Sequence, residues 1–149
     1  MKMTDFTVRD VDFAESFEAI RFIRETVFVH EQRVPAELEW DDDDRHAHHV
    51  LAVARSGEPI GTARLLPDGH IGRMSVLAAW RGRGVGGALL AHLLTVARER
   101  GFPRVLLNAQ VQALDFYRKY GFEAYGEPFL DADIPHRSMA LTLEEARNC

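Results

Sequence analysis

The segment Arg81-Gly82-Arg83-Gly84-Val85-Gly86-Gly87 places four glycines within six residues, between an apolar stretch and a leucine-rich one. Glycines let a backbone come close to a ligand and adopt dihedrals closed to other residues. If a helix opens here, its first amides have no partner inside the helix, and its dipole adds roughly half a positive charge at that end. Amides and dipole together form a cradle for phosphate, and Arg81 and Arg83 add charge beside it. The plainest alternative is a tight strand-to-helix turn without a ligand, which needs fewer glycines. A second is a dinucleotide site, since Gly82, Gly84 and Gly87 satisfy G-x-G-x-x-G. That motif lies mid-chain, however, with too few strands after it for a full Rossmann sheet, and Asn108 stands where a ribose-binding acid is expected. No Gly-Lys-Ser/Thr follows, which excludes a Walker A loop.

Other chemistry-bearing residues are scattered. Asn108 sits at the expected end of a strand, and either serves a ligand or caps the next helix. Tyr117, within Phe116-Tyr117-Arg118-Lys119-Tyr120-Gly121-Phe122, carries a phenol whose ordinary pKa near 10 keeps it protonated at neutral pH; packing among its aromatic neighbours is the alternative use. His46, His48 and His49 lack the carboxylate pattern of a metal site and read as loop and strand-end histidines. Glu31, Glu37, Glu39 and His136 are all candidate general bases, and the sequence does not choose among them. The run Asp41-Asp42-Asp43-Asp44 is the largest charge block and reads as solvated loop.

The elements that must hold these residues can be outlined. Phe6–Arg9 reads as a short strand. Phe13, Phe17, Ile20 and Val27 form one helical stripe, predicting a helix from about Asp12 to His30. His49–Arg55, Ile60–Leu66 and Ile71–Leu77 read as three strands of a meander, with turn signals at Ser56–Pro59 and at Asp68-Gly69. A long helix runs from the glycines to about Arg100, burying Leu89, Leu90, Leu93, Leu94 and Ala97, with Gly101 as its cap. A brief strand at Arg104–Leu107 and a helix over about Val111–Tyr120 follow. Phe122–Tyr125 and Ser138–Leu143 are the last strands, joined by a loop that holds Pro128 and Pro135. This order suggests one α/β domain over residues 1–149, antiparallel early and crossed over by helices later.

The glycine-rich segment also resembles the acyl-coenzyme A signature R/Q-x-x-G-x-G/A of the GNAT N-acyltransferases, matched as Arg81, Gly84 and Gly86. Phe116–Phe122 looks like the family's F-Y-x-x-x-G-F motif. Val27–Gln32, Ile71–Arg73 and Ile134–His136 resemble the V-F-V-x-E-Q, I-G-R and I-P-H segments of the small ElaA-like branch. The resemblance spans nearly the whole chain and implies the GNAT fold, a mixed central sheet of about seven strands flanked by helices. It implies acyl transfer from a coenzyme A thioester, with acetyl-CoA as co-substrate, to a primary amine; a non-catalytic acyl-CoA-binding module is the alternative. It further implies that backbone amides from Gly82 through Arg83, Gly84, Val85 and Gly86 to Gly87 face the pyrophosphate. The pantetheine arm would then lie beside Met74, Ser75 and Val76, with the Val76 amide polarising the thioester carbonyl. Asn108 would bond that arm, and Tyr117 would protonate the leaving thiolate. The acceptor side falls to Glu31–Asp44 and Glu127–His136, with Glu37 and His136 as the residues singled out; the acids Glu37, Glu39, Asp131 and Asp133 would suit a cationic amine.

The bulk numbers fit. At 149 residues the chain is the size of one domain. A net charge of −5 and pI near 5.8 argue against general nucleic-acid binding. No apolar run approaches a membrane span or signal peptide, so the expectation is a cytoplasmic protein, monomeric or homodimeric, without a metal. The single cysteine, Cys149, excludes an intrachain disulfide.

Overall fold

The computed structural model describes residues 5–35 and 41–143. Glu37, Glu39 and Cys149 lie outside them. Seven strands form two sheets. The first is antiparallel and ordered β1-β2-β3-β4, from β1 (Phe6–Val11), β2 (His48–Ala54), β3 (Pro59–Leu65) and β4 (Ile71–Val76). The second is ordered β5-β7-β6, from β5 (Arg104–Gln110), β6 (Glu123–Asp131) and β7 (Ile134–Thr142).

The first sheet is covered on both faces, which explains why β2 reads as a continuous apolar run. Its alternate residues Val50, Ala52 and Ala54 join a core with Leu89, Leu90, Leu93 and Ala97 of the long helix α2 (Val85–Glu99). Leu51 and Val53 point the other way, onto Ile20 and Ile23 of α1 (Phe17–Arg24). The expected single helix over Asp12–His30 is shorter. After α1 the chain widens into a π-helical segment, Glu25–Glu31, closed by the amide of Gln32 donating to the Val27 carbonyl at 3.1 Å.

The last two strands differ most from expectation. Pro128 and Pro135 do not mark a loop: β6 and β7 are nine residues each. They meet at a two-residue turn, Ala132-Asp133, whose φ values of 53° and 66° give the type I′ pattern that suits strand twist. Pro128 falls at an irregularity between Tyr125 and Phe129 on the sheet's edge strand. Pro135 lies beyond the last β5 pair, Gln110 with His136, where no neighbour on that side needs its missing N–H. The helix expected over Val111–Tyr120 is a 3-10 turn, Val111–Ala113, followed by the short helix α3 (Leu114–Arg118).

The run of aspartates is also not simply solvated. Asp42 and Asp43 are exposed, but Asp44 is buried against two arginines. Arg24 holds it through both guanidinium nitrogens, at 2.9 and 3.3 Å, and Arg64 Nη1 reaches it at 2.7 Å. Arg64 grips Asp41 as well, at 2.8 and 3.0 Å, and Arg73 approaches Asp41 at 3.4 Å. Burial alone pushes the Asp44 carboxyl up, and the Arg24 and Arg64 guanidiniums more than reverse this, holding it below the ordinary range. The Asp44 carbonyl accepts from buried His49 Nε2 at 2.9 Å, and the His49 ring stacks on Phe13 at 4.6 Å. Burial lowers the His49 pKa, favouring the neutral ring.

Candidate active site

The two sheets touch at one parallel bridge, His70 with Leu106, reinforced by the Leu106 amide on the Gly69 carbonyl at 2.9 Å. Beyond it β4 and β5 part. The cause is local to β4: its register against β3 shifts between Thr62 and Arg64, and Arg73 opposite takes φ 52°. A bulge bends a strand and increases its twist, so the far half of β4 turns away from β5. The result is a cleft of about 720 Å³ with β4 on one wall and β5 and α3 on the other.

The cleft collects Met74, Ser75, Val76, Arg81, Gly86, Asn108, Tyr117 and His136 of the residues singled out in the sequence, whereas Gly82, Arg83, Gly84, Val85 and Gly87 are not part of its lining. On the β4 wall the Leu77 amide donates to the Ile60 carbonyl at 2.9 Å, so Leu77 faces β3. Alternation along an antiparallel pair then turns the peptide groups of Val76 the other way, toward the cleft. Its carbonyl is taken there by Arg81 Nε at 2.9 Å. The adjacent Val76 N–H points the same way.

At the end of this wall Gly82 and Gly84 have φ values of 75° and 88°. Gly84 is the N-cap of α2, and the first amide taken up inside the helix is that of Ala88, donating to the Gly84 carbonyl at 3.0 Å. The amides of Gly84, Val85, Gly86 and Gly87 are thus the unsatisfied donors of the first turn. Nothing lies within 4 Å of where a Cβ on Gly82 or Gly84 would stand, so that face is open to a ligand. The Val85 side chain is core, leaving only its N–H for such a role. Gly87 is explained differently: a Cβ there would collide with the Tyr120 hydroxyl. Arg81 and Arg83 are tied down at the rim, Arg81 to Glu31 at 2.6 Å and Arg83 to Asp5 at 3.3 Å, with the Arg83 guanidinium 4.0 Å above the Trp80 ring.

Across the cleft, the Tyr117 hydroxyl rests 3.9 Å from Met74 Sδ, and burial pushes its pKa up to about 12. Asn108 lies inside β5, caps no helix, and accepts from Ser138 Oγ at 3.1 Å. His136 is buried; its Nδ1 donates to the Ile134 carbonyl at 2.6 Å. Asp131 reaches the cleft, whereas Asp133 occupies the hairpin turn. Sequence reasoning did not find Arg64, Arg73, Gln32 or Gln110, which also line it. One signal was available for Arg64, a charge inside an otherwise apolar strand. Among the described residues no group of three His, Cys, Asp or Glu is arranged for a metal ion, and no helix is long and apolar enough to cross a membrane.

A family model described as an acetyltransferase (GNAT) domain matches residues 9–143. The chain belongs to the GNAT family. It is 42% identical over 122 residues to the uncharacterized N-acetyltransferase YjcF of Bacillus subtilis, covering 79% of this chain and 86% of that protein. It is similar to protein ElaA of Escherichia coli, at 31% identity over 86% of this chain and 88% of ElaA. The crystal structure of that ElaA superposes with a TM-score of 0.80, at 30% identity, covering 91% of this chain and 99% of the other. A crystal structure of an acyl-CoA N-acyltransferase from Pseudomonas aeruginosa gives 0.78 at 33% identity, covering 93% and 99%. As a GNAT protein the chain has the family's α/β fold, with β4 and β5 splayed and the helix following β4 opening on glycines.

Proposed function

We propose that this GNAT protein transfers an acetyl group from acetyl-CoA to a primary amine. The observation that carries the reading is the juxtaposition in one cleft of an outward-facing Val76 amide, the open first turn of α2, and the protonated Tyr117 hydroxyl. The amides of Gly82 to Gly87, with Arg81 and Arg83 beside them, are the donors for a pyrophosphate. Met74, Ser75 and Val76 supply the wall for an extended pantetheine, and Asn108 a polar contact opposite. When bound, acetyl-CoA supplies the activated thioester. The Val76 N–H then serves as a donor for charge developing on its carbonyl oxygen, and Tyr117 hydrogen-bonds the departing sulfur. The acceptor enters past Asp131 and His136, and Glu37 remains a proposed acceptor contact. The reading includes a cytoplasmic location.

Acetyl-CoA is expected to raise the melting temperature. At a hundredfold excess over the dissociation constant the gain is about 2.7 kcal/mol, or about 5 to 10 °C for a domain of this size. NAD should give a far smaller shift. Differential scanning fluorimetry checks this, and no shift at millimolar acetyl-CoA rules the donor out. Turnover is read as thiol release with acetyl-CoA and a panel of primary amines; binding without turnover would favour the acyl-CoA-binding module.

The glycine loop gives a sharper test. A Cβ on Gly86 would stand 3.7 Å from Phe116 Cζ and 3.9 Å from Val76 Cγ2, ordinary contacts. Gly86→Val should therefore fold, place its methyls at the cleft floor and abolish most of the acetyl-CoA shift. Gly84→Val should behave differently, because φ 88° costs a non-glycine residue about 1–2 kcal/mol. It should lose stability as well as binding. A folded Gly86→Val that binds acetyl-CoA normally would mean the cradle lies elsewhere.

A further inference from the structure

We propose that His136 is the general base of the reaction, with Nε2 as the atom that takes the proton from the acceptor amine. This rests on the acetyl-transfer reading above and adds the group the sequence did not choose.

The tautomer is the first argument. Nδ1 sits 2.6 Å from the Ile134 carbonyl, which accepts only, so Nδ1 carries the hydrogen. In a neutral ring Nε2 then holds the lone pair. The ring is also fixed: it is 8% exposed and lies against the Phe129 ring at 5.9 Å with an interplanar angle of 23°. Among the described residues Nε2 has no hydrogen-bond partner, yet His136 lines the cleft. A base held in one orientation, with its free lone pair beside the substrate space, is what proton removal needs.

The neighbours leave that lone pair available. Opposite His136 on β5 stands Gln110, whose amide is turned to Gln32 at 2.9 Å. Arg137, next on β7, is occupied by the Gly126 carbonyl at 2.8 Å. Among the described residues, the titratable or charged groups facing the same cleft are Asp131 of β6, Tyr117 of α3, Arg64 of β3, Arg81 after β4, and His70 and Arg73. His70 is held by Asp68 at 3.0 Å, at the narrow end where the strands join. Glu31, another sequence candidate, is spent on Arg81. Among the described residues Asp131 remains; it is exposed, whereas the His136 ring is buried and held by the Ile134 carbonyl and the Phe129 ring.

The step balances. The amine lone pair forms the N–C bond, the C–S bond breaks, and its electron pair leaves on sulfur as a thiolate hydrogen-bonded by Tyr117. The acceptor arrives as an ammonium and gives one of its three protons to Nε2, which frees the lone pair for attack. Of the two hydrogens then left on nitrogen the amide keeps one, and the other passes through solvent to the thiolate.

The test uses His136→Gln and His136→Ala, with acetyl-CoA and a panel of primary amines that includes spermidine, ethanolamine and glycinamide. The melting shift with acetyl-CoA should stay as in the unaltered protein. At neutral pH kcat/KM should fall about 10²–10⁴-fold. The deficit should narrow as pH rises toward each amine's own pKa, and added imidazole should partly restore His136→Ala. A loss confined to KM, or one that is constant with pH and unmoved by imidazole, would make His136 a binding residue and overturn the proposal. An unaltered protein that shifts with acetyl-CoA yet acetylates no amine would overturn it while leaving donor binding intact. Absence of the shift itself would instead sink the donor reading.

Discussion

Asp44→Ala is expected to be the most damaging single change outside the cleft, lowering stability by about 3–5 kcal/mol. The carboxylate is buried between Arg24, itself 1% exposed, and Arg64, 6% exposed. Removing it takes from Arg24 the carboxylate that binds it through two nitrogens and leaves Arg64 with Asp41 alone to offset its desolvation. For a domain of this size that is a fall of about 6 to 20 °C in melting temperature. Asp44→Asn keeps the shape and one acceptor, so it should cost less. Acidification should act through the same residue. The Asp44 carboxyl is below its unfolded value, so its contribution is present above the ordinary carboxylate pKa of 3.8 and is lost as pH falls through the lower folded value. Asp41, lowered chiefly by its hydrogen bonds from Arg64, adds to the same loss. Thermal denaturation across pH 2–6 checks both; a variant within about 1 kcal/mol of the unaltered protein would mean the arginines find other partners.

That network marks where sequence reading reached its limit. Four consecutive aspartates have no periodicity, so nothing in the run distinguishes Asp44 from Asp42 or Asp43. Arg24 and Arg64 are each twenty residues away along the chain, on opposite sides. The stripe on α2 was legible because Leu89, Leu90, Leu93 and Leu94 repeat with the helical period and all are buried. Pro128 and Pro135 misled because a proline's cost depends on which edge of the strand is occupied, and that is known only once β5, β6 and β7 are assembled. The meander of β2, β3 and β4 was read nearly to its ends, since turn residues separate apolar runs. What the sequence does not contain is direction. Whether the Val76 amide faces β3 or the cleft follows from register, and register follows from the Arg73 bulge, at a residue type that gives no hint of positive φ. Likewise the His136 tautomer depends on a carbonyl two residues back. Part of the cleft lining, such as Met74 to Val76, Asn108, Tyr117 and His136, could be named in advance, but not Arg64, Arg73, Gln32 or Gln110, nor the atoms any of them present.

Tyr117→Phe is expected to lower turnover by about tenfold to a hundredfold while hardly changing acetyl-CoA binding. The change deletes one hydroxyl and keeps the ring, which packs edge-on against Phe116 at 4.9 Å and Phe122 at 6.0 Å. Among the described residues its hydroxyl has one hydrogen-bond contact, to the Met74 thioether at 3.9 Å, so the fold loses little. The magnitude follows from the acidity. Burial raises the phenol to about 12, against about 8.5 for an ordinary alkyl thiol. Complete proton transfer to a thiolate is then uphill by roughly 3.5 pKa units. On the proposed reading the hydroxyl therefore acts by hydrogen-bonding sulfur as charge gathers there, which would stabilise the transition state more than the bound thioester. This places the effect at or below the low end of general acid catalysis, about 10²-fold, because a thiolate also leaves unaided. The raised pKa also keeps the donor protonated well past pH 9, so this hydroxyl should impose no alkaline limb on kcat below that point. Its folded value exceeds its unfolded one, so its stabilising contribution is present below about pH 10 and is lost as pH climbs toward 12. Single-turnover measurements, where chemistry limits the rate, decide the matter: unchanged turnover in Tyr117→Phe would return the residue to a packing role alone.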